Sequence, residues 1–135
     1  MTAAPALQKF IYEMLVADPA LTALIGAGRV FDDPPADLDP PYLVLGHWTV
    51  ADLGSSMEAG EEHSIDLVLW SSAHGRLQVT QAAAAVRAAL AGVAGSLNPA
   101  HTLAMLQFAS SRVERDAATR YFRAVLRFRA VTEGA

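Results

Sequence analysis

The chain has 135 residues, a length that fits a single domain able to bury its own core. It has no cysteine, which excludes disulfides, thiolate nucleophiles and cysteine-ligated metals. Hydrophobic residues make up 53% of the sequence, yet no apolar run approaches the roughly 20 residues of a membrane-spanning helix. The N-terminus also lacks the basic start and apolar stretch of a secretory signal, so we expect a soluble protein that is made and stays in the cytoplasm.

Charge is divided unevenly along the chain. Residues 1–75 carry two basic residues against eleven carboxylates, a net charge of −9, whereas residues 76–135 carry eight arginines against three carboxylates, a net charge of +5. Two hypotheses explain this polarity. The halves neutralise each other through ion pairs within one fold, or an acidic surface of one copy meets a basic surface of the next copy, head to tail.

The first half of the chain predicts a helix, an acidic loop and two strands. Apolar residues recur at the three-and-four spacing of an amphipathic helix over about residues 5–17, and a short helical turn follows at 20–25. Residues 32–41 contain four prolines and four aspartates, which predict a surface loop. Tyr42–Val50 and His63–Trp70 are predicted strands, joined by a second acidic loop over 52–62 that is longer than a tight hairpin needs.

The second half predicts an alanine-rich helix over 77–93 and two strands, at about 103–113 and 120–131. Alternation in the last strand is clean, and its predicted core-facing residues are Phe122, Ala124, Leu126, Phe128 and Ala130. The order of elements favours an α+β fold: an antiparallel sheet of about four strands with two main helices packed on one face.

No motif for catalysis or metal binding is present. The four histidines, His47, His63, His74 and His101, do not have the spacing of a metal signature, although His47 and His63 lie on strands that could be neighbours. Eight of the fourteen carboxylates lie in the two acidic loops, which is typical of a solvated or docking surface and not of a buried acid/base pair. We therefore predict that the protein is not an enzyme and has no catalytic residue, cofactor or metal.

Arginines dominate the end of the chain, and Arg123, Arg127 and Arg129 share one side of the last predicted strand. Such a row could contact phosphates, pair with carboxylates of a neighbouring subunit, or form the solvated face of the sheet. Nucleic acid as a primary ligand is disfavoured because the whole chain is acidic. The residues that we predict at a subunit or partner interface are Arg112, Arg123, Arg127, Arg129, Asp52, Glu58, Glu61 and Glu62.

Four segments, taken in order along the chain, carry a resemblance to a known family. They are Pro41–Gly46, His63–Ser71, the alanine-rich helix that follows His74–Arg76, and Tyr121–Ala130. Together they resemble the tail-terminator, or tail-completion, proteins of long-tailed phages and gene transfer agents. The similarity runs over nearly the whole chain, so it implies one tail-terminator-like domain over residues 1–135.

The resemblance implies a structural subunit, without catalysis or cofactor, that forms a hexameric ring at the head-proximal end of a tail tube. Such a ring stops polymerisation of the tube and joins it to the head connector. The implied partners are further copies of the chain, the tail tube protein and a head–tail connector or stopper protein, with DNA only as passing cargo and no membrane. The implied location is the cytoplasm during assembly and then the neck of a virion or gene transfer agent particle.

Three alternatives stay open at this point. The first is another neck component, such as a head-closure or adaptor subunit. The second is a small ferredoxin-like dimeric enzyme or ligand-binding protein with His47 and His63 in a pocket, which a well-formed apolar cavity with convergent polar groups would indicate. The third is a regulatory module that binds DNA through the arginine row, which would require binding that depends steeply on salt.

Overall fold

A computed structural model describes residues 2–54, 60–72 and 75–134 of the chain. Over these ranges the chain forms helices and strands that alternate in short groups. In chain order they are α1 (Ala4–Val16), α2 (Pro19–Ile25), β1 (Val30–Phe31), β2 (Tyr42–Asp52), β3 (Gly60–Ser71), α3 (Leu77–Leu90), β4 (Gly95–Asn98), β5 (His101–Arg115) and β6 (Phe122–Gly134).

The strands form one mixed sheet in the order β1-β2-β3-β6-β5-β4. β1 runs parallel to β2, and every other neighbouring pair in this order is antiparallel. The two long central strands, β3 and β6, pair without a register shift from Gly60 opposite Glu133 to Ser71 opposite Phe122. This unbroken ladder gives the sheet its centre, and the shorter strands lie toward its two edges.

The predicted sheet of about four antiparallel strands with two helices on one face is wrong. The described part of the chain has a six-stranded mixed sheet that forms a half-barrel, together with three helices. The four predicted strands exist as β2, β3, β5 and β6, and each of them is longer at one or both ends than expected. The error lies in the short elements β1, β4 and α2.

These short elements depend on contacts that have no sequence periodicity. β1 has two residues, and it lies beside β2 because the amide of Leu43 donates to the carbonyl of Arg29 at 2.8 Å. β4 has four residues and pairs with the start of β5 through a tight turn. α2 is a full helix and not a single turn because the Asp18 carboxylate accepts from the amide of Leu21 at 2.9 Å, which caps the helix start.

The second predicted acidic loop, residues 52–62, is shorter than expected because strands extend into both of its ends. β2 continues to Asp52 and β3 begins at Gly60, and the amide of Leu53 donates to the carbonyl of Gly60 at 3.0 Å. Residues 55–59 lie outside the described residues. The acidic side chains of Glu61 and Glu62 therefore project from a strand and not from a loop.

The hydrophobic core lies between the sheet and the helices. The predicted alternation of β6 is confirmed: its even-numbered residues from Phe122 to Ala130 are all 4% exposed or less. Residues of β3 in the same phase, including Leu67 and Leu69, complete the sheet side of the core. The helices contribute stripes at helical spacing, which are Leu7, Ile11 and Leu15 of α1, Leu21 and Ile25 of α2, and Val79, Ala82, Val86 and Leu90 of α3.

We expect Leu67→Ala to lower the free energy of unfolding by about 2–5 kcal/mol, because Leu67 is fully buried at the centre of the sheet and its removal leaves a cavity. The matched control is Leu77→Ala, the same chemical change at a side chain that is 70% exposed, for which we expect a change within about 0.5 kcal/mol. Urea unfolding followed by circular dichroism measures both. Equal losses in the two variants would contradict this assignment of the core.

Candidate functional site

The face of the sheet that points away from the helices is charged. The three arginines of β6 that we predicted to share one side, Arg123, Arg127 and Arg129, all lie on this face, since the alternate residues of β6 are in the core. Carboxylates from the strands on either side of β6 lie beside them. We call this surface the arginine face.

Arg127 and Asp66 form the central pair of the arginine face. They lie directly opposite each other in the β3–β6 ladder, and the guanidinium donates to both carboxylate oxygens, with distances of 2.9 Å (Nε to Oδ1) and 3.3 Å (Nη2 to Oδ2). Asp66 is only 8% exposed, so its charge requires a partner. The two hydrogen bonds also raise the pKa of the Arg127 guanidinium.

The other two arginines of β6 are paired as well. Arg123 donates to Glu114 of β5 through Nε at 2.8 Å and Nη2 at 2.7 Å, and its guanidinium lies 5.3 Å from the centre of the Trp70 ring. Arg129 donates through Nε to Glu62, and this hydrogen bond lowers the pKa of the Glu62 carboxyl. Each arginine of the row therefore already has a carboxylate partner within its own chain.

Arg112, the fourth predicted interface arginine, is different. It lies near the far end of β5, its side chain is 60% exposed, and its contact with Glu114 is loose, at 3.7 Å. Glu114 in turn is held closely by Arg123. Of the four predicted interface arginines, Arg112 thus has the most solvent-exposed side chain.

The predicted acidic interface residues have local partners. Glu61 accepts from the amide of Ala3 at 2.8 Å and from the hydroxyl of Thr2 at 2.9 Å, so its carboxylate holds the start of α1 against the sheet. Asp52 accepts from the amide of Gly54 at 2.9 Å in the turn after β2. Glu58 lies outside the described residues. Whether any of these residues, or those of the arginine face, contacts another subunit stays a prediction.

His63 and His47 do not form a two-histidine site. His63 is fully buried, its Nδ1 accepts from the indole Nε1 of Trp48 at 3.1 Å, and its Nε2 lies 3.0 Å from the hydroxyl of Thr132. Since the indole can only donate, the proton of the neutral ring sits on Nε2 and points to Thr132. Both ring nitrogens are therefore used, and His63 has a structural role in the core.

An irregularity in β2 separates the two histidines. The register shifts between Leu45 and Trp48, so Gly46 and His47 bulge out of the ladder. A side chain at position 46 would meet the carbonyl of Asp66 at 3.2 Å, which makes glycine the residue that fits there. The bulge returns Trp48 to the core side and leaves His47 exposed. Among the described residues, no group of three or more histidine, aspartate or glutamate side chains could hold a metal ion.

Sequence reasoning missed two charged residues. Asp66 is the single charge inside an apolar stretch of β3, and that isolation was a signal that it needed a buried partner. Arg87 is the only charged residue of the alanine-rich helix α3, and its guanidinium stacks 3.8 Å from the centre of the Phe108 ring of β5. It lines an open groove of about 600 Å³ between α3 and β5.

The comparisons with known proteins identify the family. Residues 9–133 match the family model described as Tail completion protein gp17. The chain belongs to this family. The resemblance noted in the sequence is thereby confirmed, and this tail completion protein is a structural protein of a phage-type tail.

A solved structure gives a second, independent match. A chain of the structure titled "Virion of native gene transfer agent (GTA) particle" is 36% identical to this tail completion protein. The two superpose with a TM-score of 0.90, and the match covers 98% of each chain. No curated protein matches the chain. In the described part of the chain, no helix is long and apolar enough to cross a membrane.

We expect the stability of the protein to fall as the pH is lowered below about 6.5, because burial lowers the pKa of His63, an effect only partly opposed by the nearby Glu61 carboxylate. The unfolded chain then takes up a proton more readily than the folded one, so the stabilisation is complete above the unfolded pKa and is lost as the pH falls through the folded pKa. Urea midpoints between pH 8 and pH 5.5 measure this. The His63→Gln variant should show a smaller change of the urea midpoint with pH than the wild type. An equal change in the two proteins would contradict the assignment of this pH dependence to His63. The matched control is His47→Gln, at an exposed position, which should keep the pH dependence of the wild type.

Proposed function

We propose that this tail completion protein is a ring-forming terminator subunit, which closes the head-proximal end of a tail tube, stops its polymerisation and joins it to the head connector. The observation that carries the proposal is the match to a chain of a gene transfer agent virion over 98% of both chains, at 36% identity. A similarity of this extent covers the elements from α1 to β6.

The side-chain chemistry of the described residues supports a structural role. The charged groups at the centre of the sheet are engaged in ion pairs with each other, and the one fully buried histidine has both ring nitrogens hydrogen-bonded within the core. Catalytic side chains are usually accessible to a substrate and have a pKa that suits the proton transfer they perform. A protein whose polar side chains are paired with each other within the chain is suited to a structural role as a rigid subunit.

The proposed partners are five further copies of the chain, which complete a ring of six, and two other proteins. The tail tube protein lies on one side of the ring and a connector or stopper protein on the other. DNA passes through the ring only as cargo. Assembly takes place in the cytoplasm, and the product is the neck of a virion or gene transfer agent particle. The acidic end of the sheet, formed by Asp52, Glu61 and Glu62, is a surface for the tube or the connector.

The direct test is to mix the purified protein with its tail tube protein and to measure the mass of the product by light scattering and the tube ends by electron microscopy. We expect tubes of limited length with a ring of copies at one end. Tube protein alone is the control and should form tubes without a length limit. Tubes that keep growing in the presence of free monomer would overturn the terminator role and favour another place in the neck.

The arginine face can be tested in the same assay. We expect the triple variant Arg123→Ala, Arg127→Ala and Arg129→Ala to give fewer capped tubes, because it removes three of the charges that we propose for the subunit interface. The matched control replaces the same three residues with lysine, which keeps the charge, and circular dichroism verifies that both variants fold. Unchanged ring formation and an unchanged number of capped tubes in the alanine variant would remove this face from the interface.

A further inference from the structure

The two edges of the sheet are only partly covered. β1 lies beside β2 at Leu43 and Val44 alone, and β4 lies beside β5 only from His101 to Leu103. Beyond Leu103, β5 pairs with β6 and with no other strand of the described chain, so its outer edge is open as far as Arg115. An open strand edge is a surface on which another chain can dock. The final stretch, Ser110–Arg115, continues without a register shift and presents a regular edge.

The register of the sheet relates this edge to the opposite one. A single row of paired residues crosses the strands from Phe31 of β1 through Val44, Val68 and Val125 to Arg112 of β5. Phe31 and Arg112 therefore lie at the same height along the strands, at the two edges of the sheet. A neighbouring copy related by a rotation about an axis along the strands would bring one edge beside the other at this height.

The two edges carry opposite charge at the same height. Asp32 and Asp33 directly follow Phe31, and Asp37 lies in the same loop; all three are exposed. None of the three has an ion-pair partner within 4.0 Å in the part of the chain that the structure describes. The opposite edge carries Arg112, which has only its loose contact with Glu114, and the exposed Arg115, which lies 5.0 Å from the Phe122 ring. These edge charges contrast with the arginine face, where every arginine is closely paired.

The acidic loop is held in a definite shape. The guanidinium of Arg29 donates to the carbonyl of Asp39 at 2.8 Å, and the amide of Leu38 donates to the carbonyl of Pro35 at 3.2 Å. Pro34 and Pro35 have no amide hydrogen, so the loop does not continue β1 as a strand that could pair with another edge. A partner must therefore meet this loop through side chains.

We propose that a second copy of this chain docks on the open edge of β5, with the acidic loop 32–39 of one copy against Ser110–Arg115 of the next. This inference rests on the proposed ring function and names one contact between neighbouring copies in the ring. The acidic and basic surfaces lie on opposite edges of the sheet. A two-fold symmetric contact between two copies would place each edge against the same edge of the other copy, so it could not bring opposite charges together. The contact is head to tail and repeats from copy to copy until the ring closes.

The absence of cysteine from the chain makes a crosslinking test specific. The test variant carries Ala36→Cys in the acidic loop and Ser111→Cys on the edge of β5, both at exposed positions. It is oxidised alone at high concentration and also in the presence of tail tube protein, and the products are separated on a denaturing gel without reductant. We expect a ladder of covalent oligomers that ends at the size of the ring and collapses to monomer on reduction.

The single variants Ala36→Cys and Ser111→Cys are the matched controls and should remain monomers, since a head-to-tail contact places each cysteine opposite a position without one. Covalent dimers of the Ser111→Cys variant alone would show that two β5 edges meet and would overturn the proposal. A crosslink from Ser111→Cys to the tube protein, made with a bifunctional thiol reagent, in place of the ladder would assign this edge to the tube and would also overturn it.

Charge reversal tests the physical basis of the contact. In the double-cysteine chain, Arg112→Glu should reduce the yield of the ladder by about tenfold or more, because like charges then face each other. Adding Asp32→Arg and Asp33→Arg to the same chain restores opposite charges and should recover the ladder. An unchanged yield in the Arg112→Glu variant would remove Arg112 from the contact and overturn the charge argument.

The outcomes separate this inference from the function on which it rests. Capped tubes without a ladder, either in isolation or on the tube, would overturn the docking contact and leave the terminator role intact. A ladder combined with tubes that are not capped would support the contact and overturn the terminator role. The crosslinking and the capping are read from the same mixture, so the two results are obtained under one condition.

Discussion

The unbroken pairing of β3 with β6 is the constraint on which the other features of the structure depend. Twelve consecutive residue pairs without a bulge mean that alternate side chains of both strands stay in phase. One phase builds the sheet side of the core, where Leu67 faces the helices. The other phase brings Asp66 beside Arg127 on the opposite face. A slip of one residue would bury the charges and expose the core, so this register is strongly specified.

The distribution of charge follows from this arrangement. Acidic and basic residues, which are separated along the sequence, meet across the β3–β6 ladder at Asp66–Arg127 and Glu62–Arg129. This supports the hypothesis that the two halves neutralise each other within one fold, as far as the face of the sheet is concerned. At the edges the charges are not neutralised in this way, and the acidic loop and the end of β5 carry opposite signs. The proposed contact between copies therefore uses charges at the edges of the sheet.

Several features were predictable because they are local. The alternation of β6, the stripe of α1 and the alanine-rich helix α3 each repeat a pattern within one element, and the structure has all three. The pairing of Asp66 could also have been predicted from its position as a single charge in an apolar strand. The short elements β1 and β4 could not, because they consist of two and four residues that become strands only through contact with β2 and β5. The role of His63 was likewise hidden, since Trp48 and Thr132 are distant in sequence.

The sequence by itself determined the family, the order of the main elements and the side of each long strand that enters the core, because periodicity and residue type are properties of short segments. Only the tertiary structure decided which charges pair, since ion pairs join strands such as β3 and β6 that are some 60 residues apart. It also decided which strand edges stay open and at what height the acidic loop and Arg112 lie. These properties depend on strand order and register, which arise from long-range hydrogen bonding and packing and leave no repeating pattern in the chain.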